Sequence, residues 1–242
     1  MTALRGLLFD KDGTLIDFYK TWGAAYRIIT ARIADMAGDP AMADRLLVAG
    51  GYDLATDRLA PESPLASGTN DEIAGVWAQD PAAGRVPDLR AHVIHAFSTV
   101  AATPIPVTDL PGLFTRLRSQ GFRLGVATND HTVPTNTTMR ELAVDHLLDF
   151  VAGADAGFGG KPGPGMIIGF CRATGLEPGQ IAMIGDSTTD IATARAAKAG
   201  LAVGVLTGVT PRPMLEDAAD HVIDSIAELE ALLERVGRSQ SI

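Results

Sequence analysis

The sequence predicts a doubly wound α/β fold, a parallel sheet covered on both faces, with a helical domain inserted after its first strand. Three observations predict it. Leu4 to Phe9 is a short apolar run of the buried-strand type. From about Asp17 to Thr103 the texture changes and helical periodicity dominates. From Pro104 onward, strand-length apolar runs alternate with helical stretches, as in parallel strands joined by crossover helices.

Each element has its own signal. In the insert, Trp22, Tyr26, Ile29, Ile33 and Met36 recur at spacings of four and three, one face of a helix. Leu89, Val93, Phe97 and Val100 repeat the pattern. Between them Gly50-Gly51, Pro61, Pro64 and Gly68 mark a loop-rich middle. Thr69 with Glu72 predicts a capping box that opens a short helix through Trp77. After the insert, helices are expected at Leu113–Arg118, Thr135–Val144, Gly165–Thr174 and Asp190–Ala199, with a last one running through Arg235. Strands are expected at Arg123–Ala127, Phe150–Ala152, Ile181–Ile184, Ala202–Val205 and His221–Ile223. The core domain is thus residues 1–16 and 104–242, and the helical cap is 17–103.

Composition bounds the function. The 242 residues suffice for one large domain or a domain with a smaller insert. A content of 46% hydrophobic and 20% charged residues supplies a sizeable core, so wholesale disorder is not expected. The net charge of −9 argues against nucleic-acid or anionic-membrane partners, which select basic patches. Cys171 is the only cysteine, so no intrachain disulfide forms, which fits a reducing compartment. No apolar run approaches the ~20 residues of a membrane span, and Met1 to Phe9 lacks a signal-peptide layout. A cytoplasmic location is expected, and the oligomeric state is left open between monomer and homodimer.

Open α/β sheets bind ligands at the carboxyl ends of their strands. Strand one ends in Asp10 and Asp12, and the strand through Ala127 ends in Thr128 and Asn129. A Gly-rich loop with Lys161 follows the short third strand. The strand through Ile184 ends in Gly185 and Asp186, with Asp190 four residues on. Any one of these is commonly a turn former or helix cap. Their coincidence on one edge of one sheet is what points to a site.

The ordered set "FDKDGTL", "ATND", "GGKPGPG" and "IGDSTTD" resembles the four motifs of the haloacid dehalogenase superfamily. The helical insert resembles the cap of its phosphoglycolate-phosphatase-like members. The resemblance implies a Mg²⁺-dependent phosphatase of small phosphorylated metabolites. Asp10 would be the nucleophile, forming an aspartyl-phosphate. Asp12 would protonate the leaving oxygen and then help activate water. Gly13 would allow the tight exit, and Thr14 would help hold Asp12. Thr128, with Asn129, would donate to phosphoryl oxygens, and Lys161 would offset charge on the phosphoryl group and on Asp10. Mg²⁺ would be held by the side chains of Asp10 and Asp186 and the carbonyl of Asp12, with Asp190 nearby. Lys11, pointing the other way on an extended chain, is not expected to be the positive partner of the two acids.

The branch follows from two features. The dehalogenase members lack an acid at the Asp12 position, since a halide leaving group needs no proton. The cap body has no lysine between Lys20 and Lys161, against the Schiff-base lysine of phosphonatase-like members and the basic cap group of β-phosphoglucomutase-like ones. Phosphomonoester hydrolysis leads. A sugar-phosphate mutase or other phosphotransferase on the same scaffold is the alternative, ahead of a non-catalytic phospho-aspartate signalling or binding protein. Arg27, Arg32, Arg45, Arg58, Arg85 and Arg90 are the cap's candidates for a substrate carboxylate. Phe18 and Tyr19 are expected over the site, whereas Trp22 is expected in the cap core. His92 and His95 read as surface or packing groups and Cys171 as a small buried hydrophobe, while His131 is open between approaching the phosphate, capping the next helix and facing solvent. "DKDG" does not open an EF-hand loop, because its twelfth position is Thr21 and a strand precedes it.

Overall fold

The computed structural model describes residues 3–61, 63–100 and 103–239. Gly6–Phe9 forms β1. The insert contains α1 (Phe18–Ala37), α2 (Met42–Ala49), the antiparallel pair β2 (Tyr52–Asp53) and β3 (Arg58–Leu59), α3 (Pro64–Ser67), α4 (Asn70–Trp77) and α5 (Leu89–Thr99). The chain continues through α6 (Leu110–Ser119), β4 (Arg123–Ala127), α7 (Thr132–Glu141), β5 (Phe150–Ala152) and α8 (Gly165–Thr174). It ends with β6 (Ile181–Gly185), α9 (Thr188–Ala197), β7 (Leu201–Val205), α10 (Arg212–Ala218), β8 (His221–Ile223) and α11 (Leu229–Ser239). Two compact units result, residues up to Phe18 with those from Pro104 onward, and Tyr19–Thr103.

The larger unit is built on a six-stranded parallel sheet of order β5-β4-β1-β6-β7-β8. The chain fills one side of β1 with β4 and β5, then returns to fill the other, so the order reverses at β1. β1 is buried on both faces because its side chains alternate. Leu7 and Phe9 join the cluster containing Phe114, Leu117, Met139 and Leu232, while Leu8 joins Met166, Phe170 and Ile191 on the opposite face. Phe9 sits opposite Val126 of β4 and Ile184 of β6. That register brings Asp10, Thr128 and Asp186 to one level, one or two residues past the paired ends.

The smaller unit packs around aromatic side chains. Phe97 lies 6.0 Å from Trp22, 6.1 Å from Tyr26 and 6.2 Å from Trp77, between ring centroids. Each large polar handle is satisfied as burial requires: Trp77 Nε1 donates to Leu46 O (2.8 Å) and Tyr26 OH to Leu65 O (2.8 Å). The Thr69–Glu72 capping box opens α4. Met36 departs from expectation and is 44% exposed. The buried stripe of α1 continues from Ile33 to Ala37, four residues on, so Met36 turns outward.

Several boundaries move for local reasons. α7 begins at Thr132, not Thr135, because Asp155 Oδ1 accepts both the Thr132 N–H (2.8 Å) and its hydroxyl (2.6 Å). It stops at Glu141, where Ala143 enters the left-handed region (φ 56°) and Val144 N–H closes back to Met139 O (3.0 Å). α9 starts at Thr188 rather than Asp190, capped by Ser187. The helix α10 and the β2–β3 pair were not expected. Among the described residues no helix is long and apolar enough to cross a membrane.

Candidate active site

The carboxyl ends of β1, β4 and β6 carry the chemistry. The Asp10 N–H donates to Ile184 O (2.8 Å), which anchors it between strands. Lys161 Nζ donates to Asp10 Oδ1 (2.6 Å) and to Asp190 Oδ1 (2.6 Å), with the lysine side chain 4% exposed. The other oxygen of Asp190 accepts from Ser187 N (3.1 Å) and Ser187 Oγ (2.7 Å). Asp190 is therefore both the third residue of the α9 capping box and the second anchor of Lys161. Ser187 was not singled out in the sequence, although its S-x-x-D spacing carries the signal of such a box. Asp10, Asp186 and Asp190, all buried, each offer a carboxylate oxygen within 4.8 Å of the others.

These charges do not balance among themselves. Burial pushes the Asp10 carboxyl up to about 7; Lys161 opposes that shift, and Asp190 and Asp12 add to it. Burial likewise raises Asp186 well above the usual carboxylate range, helped by Asp10 and Asp190, against a hydrogen bond from Val209 and the charge of Lys161. Burial pulls Lys161 down, yet Asp10 and Asp190 more than offset it, so its ammonium is held charged. One lysine for three buried carboxylates leaves an excess of negative charge. A further cation removes that excess, and an all-oxygen donor set suits a hard divalent ion. Asp10 and Asp186 would hold it by side chain. The Asp12 carboxylate is outside the three-residue cluster, and Asp190 is largely committed to Lys161 and Ser187.

The motif-two residues divide their work. Thr128 is 2% exposed, and its hydroxyl accepts from Asp130 N (3.1 Å), which keeps its own hydrogen for donation. The Asn129 carboxamide clasps the backbone of Lys161 in both directions, accepting from Lys161 N (2.8 Å) and donating to Lys161 O (3.2 Å). One of its two amide hydrogens is thereby spent on fixing the loop that presents Lys161. His131 is the residue before α7 and makes no side-chain cap there.

Two expectations are overturned. Lys11 does not turn away from the acids. The chain leaves β1 in a bend, with Leu15 N (2.9 Å) and Ile16 N (3.1 Å) donating to Lys11 O, so strict side-chain alternation ends there. Lys11 Nζ lies 2.8 Å from Asp12 Oδ2 and 2.9 Å from Asp130 Oδ2, with its side chain 2% exposed. Burial opposes its charge, and Asp12 and Asp130 overcome that and raise its pKa. Nor does Thr14 hold Asp12. Among the described residues its buried hydroxyl has no hydrogen-bond partner.

A loop after β7 completes the site and was not anticipated. Thr207 Oγ1 donates to Gly13 O (2.6 Å), and Val209 N donates to Asp186 Oδ2 (3.2 Å). A Cβ placed at Gly208 would stand 1.6 Å from Asp186 Oδ2 and 2.5 Å from its Cβ. Gly13, at φ 80°, borders the same carboxylate: a Cβ there would stand 2.6 Å from Asp186 Oδ2 and 2.8 Å from Gly208 Cα. Asp186 is thus approached by two backbone segments that only glycine allows to come so close.

The other candidates named from the sequence make contacts of their own. Within the insert, Arg27 pairs with Asp57, Arg45 with Asp39 and Asp80, and Arg90 with Asp71. Arg58 stacks on the Tyr19 ring, 4.6 Å from its centroid. Among the described residues His92 and His95 belong to no metal-capable cluster. Cys171 packs into the core with Phe170 and Ile167, and burial raises its thiol, so it is a hydrophobe.

Sheet order, switch point and the acid cluster beyond β1 define a doubly wound α/β protein with a metal-capable carboxylate site. The model of the haloacid dehalogenase-like hydrolases matches residues 4–198, and the chain belongs to that family. It is 27% identical to the phosphoglycolate phosphatase of Pectobacterium atrosepticum, covering 100% of this chain and 96% of that protein. It is 24% identical to the N-acetylmuramic acid 6-phosphate phosphatase of Pseudomonas putida, covering 96% of each. Other curated relatives match locally, and the chain spans about half of their length, 53% in one case. A hydrolase from Pseudomonas syringae shares the fold, with a TM-score of 0.68, 20% identity and coverage of 96% of this chain and 99% of that one.

Proposed function

We propose that the chain is a Mg²⁺-dependent phosphatase of small phosphomonoesters. The observation that carries the reading is the Asp10 carboxylate, buried, fixed by Lys161 and set beside Asp186 at the end of the central strand. The Asp10 carboxylate attacks phosphorus, the ester P–O bond breaks, and the leaving oxygen takes a proton from Asp12. Asp12, now a carboxylate, accepts a proton from water as water attacks the aspartyl-phosphate, releasing phosphate and restoring Asp10. Thr128 donates to a phosphoryl oxygen, and Lys161 offsets phosphoryl charge as well as that of Asp10. Mg²⁺, when bound by Asp10, Asp186 and the Asp12 carbonyl, supplies the positive charge that lets a carboxylate approach a phosphate dianion.

A chromogenic aryl phosphate tests this directly. Phosphate release should require Mg²⁺ and fall by about 100-fold or more after chelation, returning on readdition. Activity indifferent to chelation would sink the mechanism. Phosphoglycolate, N-acetylmuramic acid 6-phosphate and a panel of sugar phosphates are the informative esters, since relatives bear the first two names. An isomerised sugar phosphate without free phosphate would establish the mutase alternative instead.

The loop after β7 gives a second test. Gly208→Ala drives a methyl group into Asp186. We expect kcat to drop about 100-fold, in line with a displacement of order 1 Å in a positioned group. The Mg²⁺ concentration for half-maximal activity should rise in parallel, and overpacking should cost about 1–3 kcal/mol of stability. Mg²⁺ titrations of activity and thermal melts read all three. An unchanged Mg²⁺ requirement would mean that this loop does not set Asp186.

A further inference from the structure

We propose that Lys11 is a positioning residue for the general acid, clamping Asp12 to Asp130 so that proton delivery to the leaving group is geometrically fixed. The proposal rests on the phosphatase reading above. A side chain between two catalytic acids would ordinarily be expected to leave the site, yet Lys11 is buried to 2% exposure and its ammonium bridges two carboxylates. Removing an ammonium from water is costly unless it is paired and hydrogen-bonded, and Asp12 and Asp130 together supply that.

The clamp has a fixed end and a working end. Asp130 is the fixed end. Its Oδ1 accepts the His131 N–H (2.7 Å), its own N–H donates to Thr128 Oγ1 (3.1 Å), and its carbonyl accepts the Ala154 N–H (2.9 Å). Its Oδ2 is the oxygen that takes Lys11 Nζ, at 2.9 Å. Asp12 is the working end, with a side chain 20% exposed, more than any of Asp10, Asp186 or Asp190. Lys11 holds its Oδ2 at 2.8 Å, which ties that oxygen to the Asp130 loop. A general acid must stand within hydrogen-bond reach of the atom it protonates, and this tether sets that reach.

The anchor is also informative. Asp130 belongs to the loop of Thr128, whose hydroxyl is proposed to hold a phosphoryl oxygen. Lys11 therefore ties the acid to the loop that positions phosphorus, across the neighbouring strands β1 and β4. Acid and phosphoryl group are placed by one hydrogen-bonded unit.

Leaving-group dependence separates this role from general structural support. An alkyl phosphate needs its leaving oxygen protonated, and 2,4-dinitrophenyl phosphate does not. With Mg²⁺ present, Lys11→Met should lower kcat/KM for the alkyl ester about 100-fold and for the dinitrophenyl ester less than 5-fold. Asp130→Asn should follow the same pattern at about 10-fold, because the amide oxygen is taken by the His131 N–H and its NH₂ group then faces Lys11. Asp130→Asn decides the matter if Lys11→Met fails to fold in circular dichroism. Equal losses on both esters, or no loss in a folded variant, would overturn the clamp while leaving the phosphatase reading intact. No hydrolysis of either ester by the unaltered chain would overturn both.

Discussion

Asp10→Asn is expected to lower phosphate release by on the order of 10⁴-fold or more, and to abolish any phosphorylated protein in acid-quenched reactions. An amide is no nucleophile toward phosphorus, and Asp190, the other carboxylate on Lys161, lies on α9 with its second oxygen taken by Ser187. The same variant should be more stable than the parent in one defined condition. Burial holds the Asp10 carboxyl at about 7, against an ordinary 3.8. A carboxyl whose folded pKa is raised contributes stability that is fully present below pH 3.8 and is lost as the pH rises through about 7. Metal-free parent protein therefore pays an ionisation cost at pH 8 of at most about 4 kcal/mol, which the untitratable amide does not. In chelator, Asp10→Asn should melt above the parent at pH 8, and the difference should vanish near pH 4. Mg²⁺ should raise the parent more than the variant. Melting curves at the two pH values, with and without Mg²⁺, check the prediction. A variant that melts below the parent at pH 8 in chelator would mean that Asp10 is not a strained, buried anion.

Much of this was legible in the sequence because the central strands are buried on both faces and so read as unbroken apolar runs. Leu7, Leu8 and Phe9 announce β1, and Ile181 to Ile184 announce β6. Once those strands are placed, the rule that polar groups gather at carboxyl ends brings Asp10, Thr128, Lys161 and Asp186 to one edge. What stayed hidden is non-local. Alternation along an extended chain turns Lys11 away from the acids, but the chain already bends there, and a bend leaves no local signature in "FDKDG". The role of Asn129 depends on backbone atoms 32 residues away. Gly208 sits in "TGVT", which looks like any turn, and its meaning comes from Asp186 lying against it. Asp155 capping α7 is of the same kind, a carboxylate from one loop finishing a helix begun by another.

Lys161→Met should be the other severe change, and for a different reason. The lysine makes no covalent bond to substrate, but its ammonium is the one buried cation shared by Asp10 and Asp190 at 2.6 Å each. Removing one partner of a buried ion set leaves the other charges uncompensated, typically at about 3–5 kcal/mol. Methionine matches the stem in length and apolar character, so little of the loss can be assigned to packing. We expect kcat to fall by about 10³-fold, since both the charge on Asp10 and that on the phosphoryl group lose an offset, comparable to deleting a principal electrostatic donor. Stability and activity should then respond oppositely to acid. Lowering the pH toward 5 lets Asp10 take up a proton and restores part of the melting temperature, whereas a protonated nucleophile cannot attack and kcat falls further. Mg²⁺ should also recover stability more than rate, because it would offset the carboxylate charge without replacing the hydrogen bond that Lys161 gives Asp190, one of three that its side chain accepts. Lys161→Arg should not rescue. The cavity leaves the native side chain 4% exposed, and a planar guanidinium cannot place one nitrogen between two carboxylates as the ammonium does. Steady-state kinetics and melts across pH 5–8 decide it: a variant within 10-fold of the parent would show that Lys161 is a structural tie between Asp10 and Asp190 and not part of the phosphoryl chemistry.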